Sequence, residues 1–186
     1  HQEERLEREL GQYREEEATC NGCAGYPKYD QVTGLLSFNR FREEVDSVIA
    51  SGKGKSCLLV YTDLENFKYF NRKYGYAAGD QLLREFTGYI IDTLKKRNTA
   101  HFTRVVADQF ILFFEEKWNN GSIEAIKRIN NGFIERQQRK YPEAKLRLRT
   151  GVYKVEKDCD GASFAIDAAN YARRQIQDNS PETVCV

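Results

Sequence analysis

The chain has 186 residues, 40% of them apolar, which suffices for one packed domain with a short extension and excludes a chain disordered throughout. Its 29 basic residues nearly cancel its 28 acidic ones, so the charge excess that draws a protein to a nucleic-acid polymer is absent. Neither a signal peptide nor an apolar run near the ~20 residues that span a bilayer is read, and the expectation is a cytoplasmic domain without direct membrane contact, free-standing or part of a larger membrane-bound protein.

Residues 3–17 are highly charged, with Leu6, Leu10 and Tyr13 at helical spacing, and the breaker-rich stretch from Cys20 to Pro27 follows. This reads as the end of a signalling helix from an upstream sensor domain. The lack of methionine, even at position 1, reads as an excised fragment with His1 as a tag remnant. Five cysteines, an odd number without a secretory signal, point to a reducing compartment rather than a disulfide framework. Cys20 and Cys23 form a Cys-x-x-Cys, readable as a redox pair or half a zinc site. A loop with two incidental thiols is preferred, since neither His1 nor His101 completes a tetrahedral set. Residues 1–29 are thus a helical linker and loop, and residues 30–186 the domain.

Within that domain Ser37 is placed to cap a helix reaching about Ala50, with Phe38, Phe41, Val45, Val48 and Ile49 as its apolar face. Residues 57–62 read as a central strand with Asp63 at its carboxyl end. Helices are expected from Glu65 to about Tyr74, where Gly75 stops the first, and from about Ala78 to Arg97. Residues 101–106 and 110–114 read as an antiparallel hairpin with Asp108 and Gln109 at its tip. A helix over 122–139, a strand over 146–155, a helix over 162–177 and a last strand over 183–186 complete the order. Strands separated by helices, with one hairpin between, describe a layered α/β domain with a mixed sheet.

Four segments carry chemistry together: Asp63-Leu64-Glu65-Asn66-Phe67-Lys68, Gly79-Asp80, Val106-Ala107-Asp108-Gln109-Phe110 and Ala169-Asn170-Tyr171-Ala172-Arg173. Singly, each has a bland reading: Asp63 as a helix cap, Lys68 as a solvated lysine, Arg173 paired with Asp167 or Asp178. At their joint spacing, over about residues 30–186, the chain resembles the GGDEF family, the diguanylate cyclases of bacterial cyclic-di-GMP signalling. The resemblance implies a nucleotidyl-cyclase or palm-like fold, a central five-stranded mixed sheet surrounded by helices, here with an N-terminal helical extension. It also implies a reaction in which a ribose 3′-hydroxyl of one GTP attacks the α-phosphate of another, with Mg2+ neutralising the phosphates. On the family's pattern Asp63, the Leu64 carbonyl and Asp108 hold the metal, Lys68 and Arg173 contact phosphate, and Asn71 and Asp80 read guanine. Glu65 stands where the family usually repeats aspartate.

The pattern fails at the hairpin. Val106 and Ala107 replace two glycines that let a nucleotide approach the backbone, so a narrowed or reshaped pocket is expected. Gln109 replaces a glutamate, removing a charge and a proton acceptor. The family's product-inhibition motif, Arg-x-x-Asp, is here Arg97-Asn98-Thr99-Ala100, and a second basic residue near the C-terminus is here Gln177. The expectation is a degenerate, catalytically inactive GGDEF domain that binds GTP and regulates its neighbours: an upstream sensor, a downstream phosphodiesterase domain, or a homodimer partner met through residues 3–17. The alternatives are a slow but active cyclase in which Asp108 does most of the metal work, and a purely structural dimerisation domain.

Overall fold

The structure is a computed structural model, and it describes residues 27–95 and 100–186. The expected signalling helix, Cys20, Cys23 and Arg97-Asn98-Thr99 lie outside the described residues.

Helix α1, Phe38–Ala50, begins as expected: the Ser37 Oγ accepts the Arg40 N–H at 3.5 Å. A short 3-10 turn, Lys53–Ser56, leads into strand β1, Cys57–Glu65. All nine residues of β1 are buried, as befits a strand covered on both faces. It runs past the apolar stretch because Asp63 and Glu65 find cross-strand partners there instead of water. Asn66 then takes a left-handed conformation (φ 69°), a shape asparagine tolerates better than most residues, and helix α2, Phe67–Tyr74, starts two residues later than the expected Glu65. Gly75 (φ 91°) separates α2 from α3, Tyr76–Leu94. Strands β2, His101–Val106, and β3, Gln109–Glu115, form the hairpin. Then come α4, Ser122–Lys140, β4, Arg147–Lys154, α5, Ala162–Arg174, and the short β5, Val184–Cys185. Helix α5 therefore ends before the expected Gln177.

The five strands form one mixed sheet in the order β2-β3-β1-β4-β5, antiparallel except for the parallel β4–β5 pair. Alternation along β1 sorts its side chains to two cores. Leu58, Val60 and Leu64 pack with Phe70, Phe86 and Phe133 of α2, α3 and α4, where Phe86 meets Phe110 and Phe133 edge-on at ring distances of 4.9 and 5.1 Å. Leu59 and Tyr61 face the other way, toward Phe41 and Val45 of α1 and Ala165 and Ala169 of α5. Gly151 on β4 sits opposite Tyr61, beneath α5. A Cβ there would lie 2.0 Å from the Ala169 carbonyl oxygen and 2.4 Å from the Arg173 nitrogen, so glycine alone lets α5 rest directly on β4. That close approach carries the last turn of α5 over the carboxyl end of β1.

Candidate functional site

The β1–β4 register places Asp63 opposite Arg149 and Glu65 opposite Arg147. These residues share the parity of Leu59 and Tyr61 and so project to the α5 side. Arg149 grips Asp63 with both prongs of its guanidinium, Nε to Oδ1 at 3.0 Å and Nη2 to Oδ2 at 2.8 Å. Arg173, from the last turn of α5, donates through Nη1 to the same Oδ2. The Asp63 side chain is 6% exposed and that of Arg173 10%. Both carboxylate oxygens therefore already accept charged hydrogen bonds. The remaining Nη1 of Arg149 reaches the exposed Asp178 at 2.8 Å, and Arg147 Nε donates to Glu65 Oε2. Arg173 is fixed in turn by Asn170 Oδ1 (3.0 and 2.8 Å) and by the ring of Tyr61, 5.0 Å from the guanidinium carbon.

The hairpin closes on the same place. Its tip is Ala107 and Asp108, with Gln109 opening β3, and not Asp108 and Gln109 as the sequence suggested. Ala107 holds a left-handed backbone (φ 48°) that glycine would adopt without cost, and its carbonyl accepts the Arg104 Nε–H at 2.7 Å. Gln109 Oε1 accepts the Tyr61 hydroxyl at 2.7 Å, and Asp108 Oδ2 accepts the Leu64 N–H at 3.0 Å. Burial pushes the Asp108 carboxyl above the usual range, and the negative charge of Asp63 adds to the rise. Between its unfolded and folded pKa the native state therefore holds more protons, and stability falls as pH rises through that window. Asp108→Asn should accordingly match or exceed the wild type in stability at neutral pH and lose that advantage below the window. Urea unfolding at low and neutral pH checks this; a variant that is relatively weaker at neutral pH would contradict it.

A cleft of about 510 Å3 opens here, and Asp63, Leu64, Lys68, Asp108, Arg149 and Asp178 help to line it. Val106 and Ala107 are not among its lining residues. Val106 is exposed. Asn71, Asp80 and Arg173 also lie outside the lining. Asn71 sits at the α2–α3 junction with a buried Oδ1 that has no hydrogen-bond partner among the described residues. It occupies the space a side chain at Gly79 would need, since a Cβ there would lie 1.8 Å from that oxygen. Asp80, next to Gly79, is half-buried and Lys68 exposed.

Diguanylate cyclases of the GGDEF type generally use Mg2+. The donor set here does not fit such an ion: both oxygens of Asp63 are held by guanidinium groups and one oxygen of Asp108 by an amide. Among the described residues no group of three or more His, Cys, Asp or Glu side chains is placed to hold a metal. Arg149 is the residue that reading the sequence missed. Its signal was the alternation Arg147-Leu148-Arg149, matching Asp63-Leu64-Glu65 in period and opposite in charge.

The family model for the diguanylate cyclase GGDEF domain matches residues 27–181. The chain belongs to the GGDEF family. Diguanylate cyclase DgcS of Shewanella oneidensis is 32% identical to this GGDEF domain over 89 residues, 47% of the chain and 29% of that protein. The cyclic di-GMP phosphodiesterase PdeR of Escherichia coli is 28% identical over 130 residues, 70% of the chain and 18% of that protein. The chain thus spans less than a third of either relative. Among solved structures, the coiled coil and GGDEF domain of Caulobacter crescentus DgcB, in complex with c-di-GMP, superposes with a TM-score of 0.72 at 19% identity. That match covers 98% of this chain and 92% of the other. The GGDEF domain of Pseudomonas aeruginosa FimX gives 0.63 at 17% identity, covering 86% and 99%. At such identities the likeness shows the fold, and the five-stranded mixed sheet with its surrounding helices is the expected palm-like one.

Proposed function

We propose that this GGDEF domain is a catalytically silent, GTP-binding regulatory module of cyclic-di-GMP signalling. The observation that carries the reading is the double guanidinium grip on Asp63. Joining two GTP molecules requires concentrated positive charge at the reacting phosphates and activation of a 3′-hydroxyl. A carboxylate whose oxygens are both engaged by arginine is not free to organise that charge, and the Gln109 amide cannot take a proton. Nucleotide binding draws support from other residues. Lys68 stands exposed at the cleft for phosphate, and outside its lining, at the α2–α3 junction, the Asn71 Oδ1, without a hydrogen-bond partner among the described residues, is an acceptor suited to a guanine N–H, with Asp80 nearby in sequence as a second. Residues 1–29 would connect the module to an upstream sensor and, through residues 3–17, to a second copy. A downstream phosphodiesterase domain would receive the signal, in line with the match to part of PdeR.

Incubation with GTP and magnesium, followed by chromatography for cyclic-di-GMP, should yield no product, while calorimetric titration should show saturable GTP binding. Steady product formation would make the domain a slow cyclase. Absence of binding at millimolar GTP would leave a structural dimerisation domain.

A further inference from the structure

Four carboxylates line the cleft, Asp63, Glu65, Asp108 and Asp178, and cations stand among them where metal chemistry would place carboxylates alone. Arg149 and Lys68 line it together with Arg72, and Arg173 lies behind Asp63. Asp63 with its two arginines carries a net positive charge, so its carboxylate no longer repels an incoming phosphate. Arg149 spends only two of its three guanidinium nitrogens on Asp63. The third, Nη1, is held by Asp178, whose side chain is 81% exposed. Such a solvent-facing partner is weakly held, and an oxyanion bearing more charge would displace it.

We infer that the cleft takes a nucleoside polyphosphate without a divalent cation, Arg149 and Lys68 supplying the countercharge and the phosphate replacing Asp178 at Arg149 Nη1. The inference rests on the nucleotide-binding reading above and adds the cation requirement and the residue that sets it. A metal-dependent site binds the magnesium complex better than the free nucleotide. This site should do the reverse, because free GTP carries more negative charge than its magnesium complex, while Lys68, Arg72, Arg149 and the paired Arg147 and Arg173 outnumber the four carboxylates of the cleft, one of which, Asp178, moves aside.

GTP titrated into the full chain in EDTA should bind at least as tightly as in excess magnesium. Asp178→Asn should tighten the metal-free binding severalfold by freeing Arg149, and Arg149→Ala should weaken it roughly tenfold or more. Should Arg149→Ala fail to fold, the EDTA comparison and the exposed Asp178→Asn still decide. Binding weaker in EDTA than in excess magnesium would overturn the inference and leave nucleotide binding standing. An Asp178→Asn variant with unchanged affinity would overturn the role given to Arg149. Absence of binding in either buffer would overturn both readings.

Discussion

Restoring the hairpin by Val106→Gly, Ala107→Gly and Gln109→Glu should leave cyclic-di-GMP synthesis at background, whereas adding Arg149→Ala to the triple variant should raise it by about 10²-fold or more. The glycine and glutamate changes repair the backbone approach and the missing carboxylate, but Asp63 remains gripped by Arg149 from β4 and Arg173 from α5. Removing Arg149 releases Oδ1 entirely and relieves Oδ2 of one of its two donors. Arg173 stays at the position that resembles the family's phosphate contact, where a guanidinium still serves. Product measured by chromatography over a magnesium series separates the two variants. Robust synthesis by the triple variant alone would show that the hairpin was the whole defect and that the arginines yield readily.

The second large effect concerns folding. Asp63→Ala should cost about 3–5 kcal/mol in urea unfolding, because it strands two arginines, one of them almost fully buried, without their countercharge. The exposed end of the same network supplies the control. Asp178 is mostly in water, so Asp178→Asn should change stability by no more than about 0.5 kcal/mol. If Asp63→Ala is as stable as the wild type, the arginines must turn to solvent, and the grip that separates this site from a metal-binding one would be loose. Asp63→Asn should fall between, since the amide keeps an acceptor for one guanidinium and loses the charge.

Much of the fold was legible because it depends on local order. Ser37 caps α1 where expected, Gly75 divides α2 from α3, and the β2–β3 hairpin appears within a residue of its predicted span. Errors clustered where a long-range contact overrode a local signal. Strand β1 extends through Asp63 and Glu65 because arginines on β4 satisfy carboxylates that would otherwise have ended it in solvent. The hairpin tip moved by one residue because Ala107 accepted a left-handed turn, while Tyr61 and Phe110 kept the first residues of β3 in the sheet. Among the site residues, sequence spacing brought Asp63, Leu64, Lys68 and Asp108 to one cleft, while Asn71 and Asp80 belong to the α2–α3 junction.

By itself the amino-acid order determined the alternation of strands and helices, the family, and the altered signature Val106-Ala107-Asp108-Gln109-Phe110. Each of these is written in neighbouring residues and their periods. Only the tertiary structure decided what Asp63 does. Its partners lie 86 and 110 residues away, one delivered by the antiparallel register of β4 and the other by α5, which can rest on β4 because residue 151 has no side chain. Once those guanidinium groups are seated on it, a carboxylate that would serve a cation in an exposed strand end becomes half of a buried ion pair.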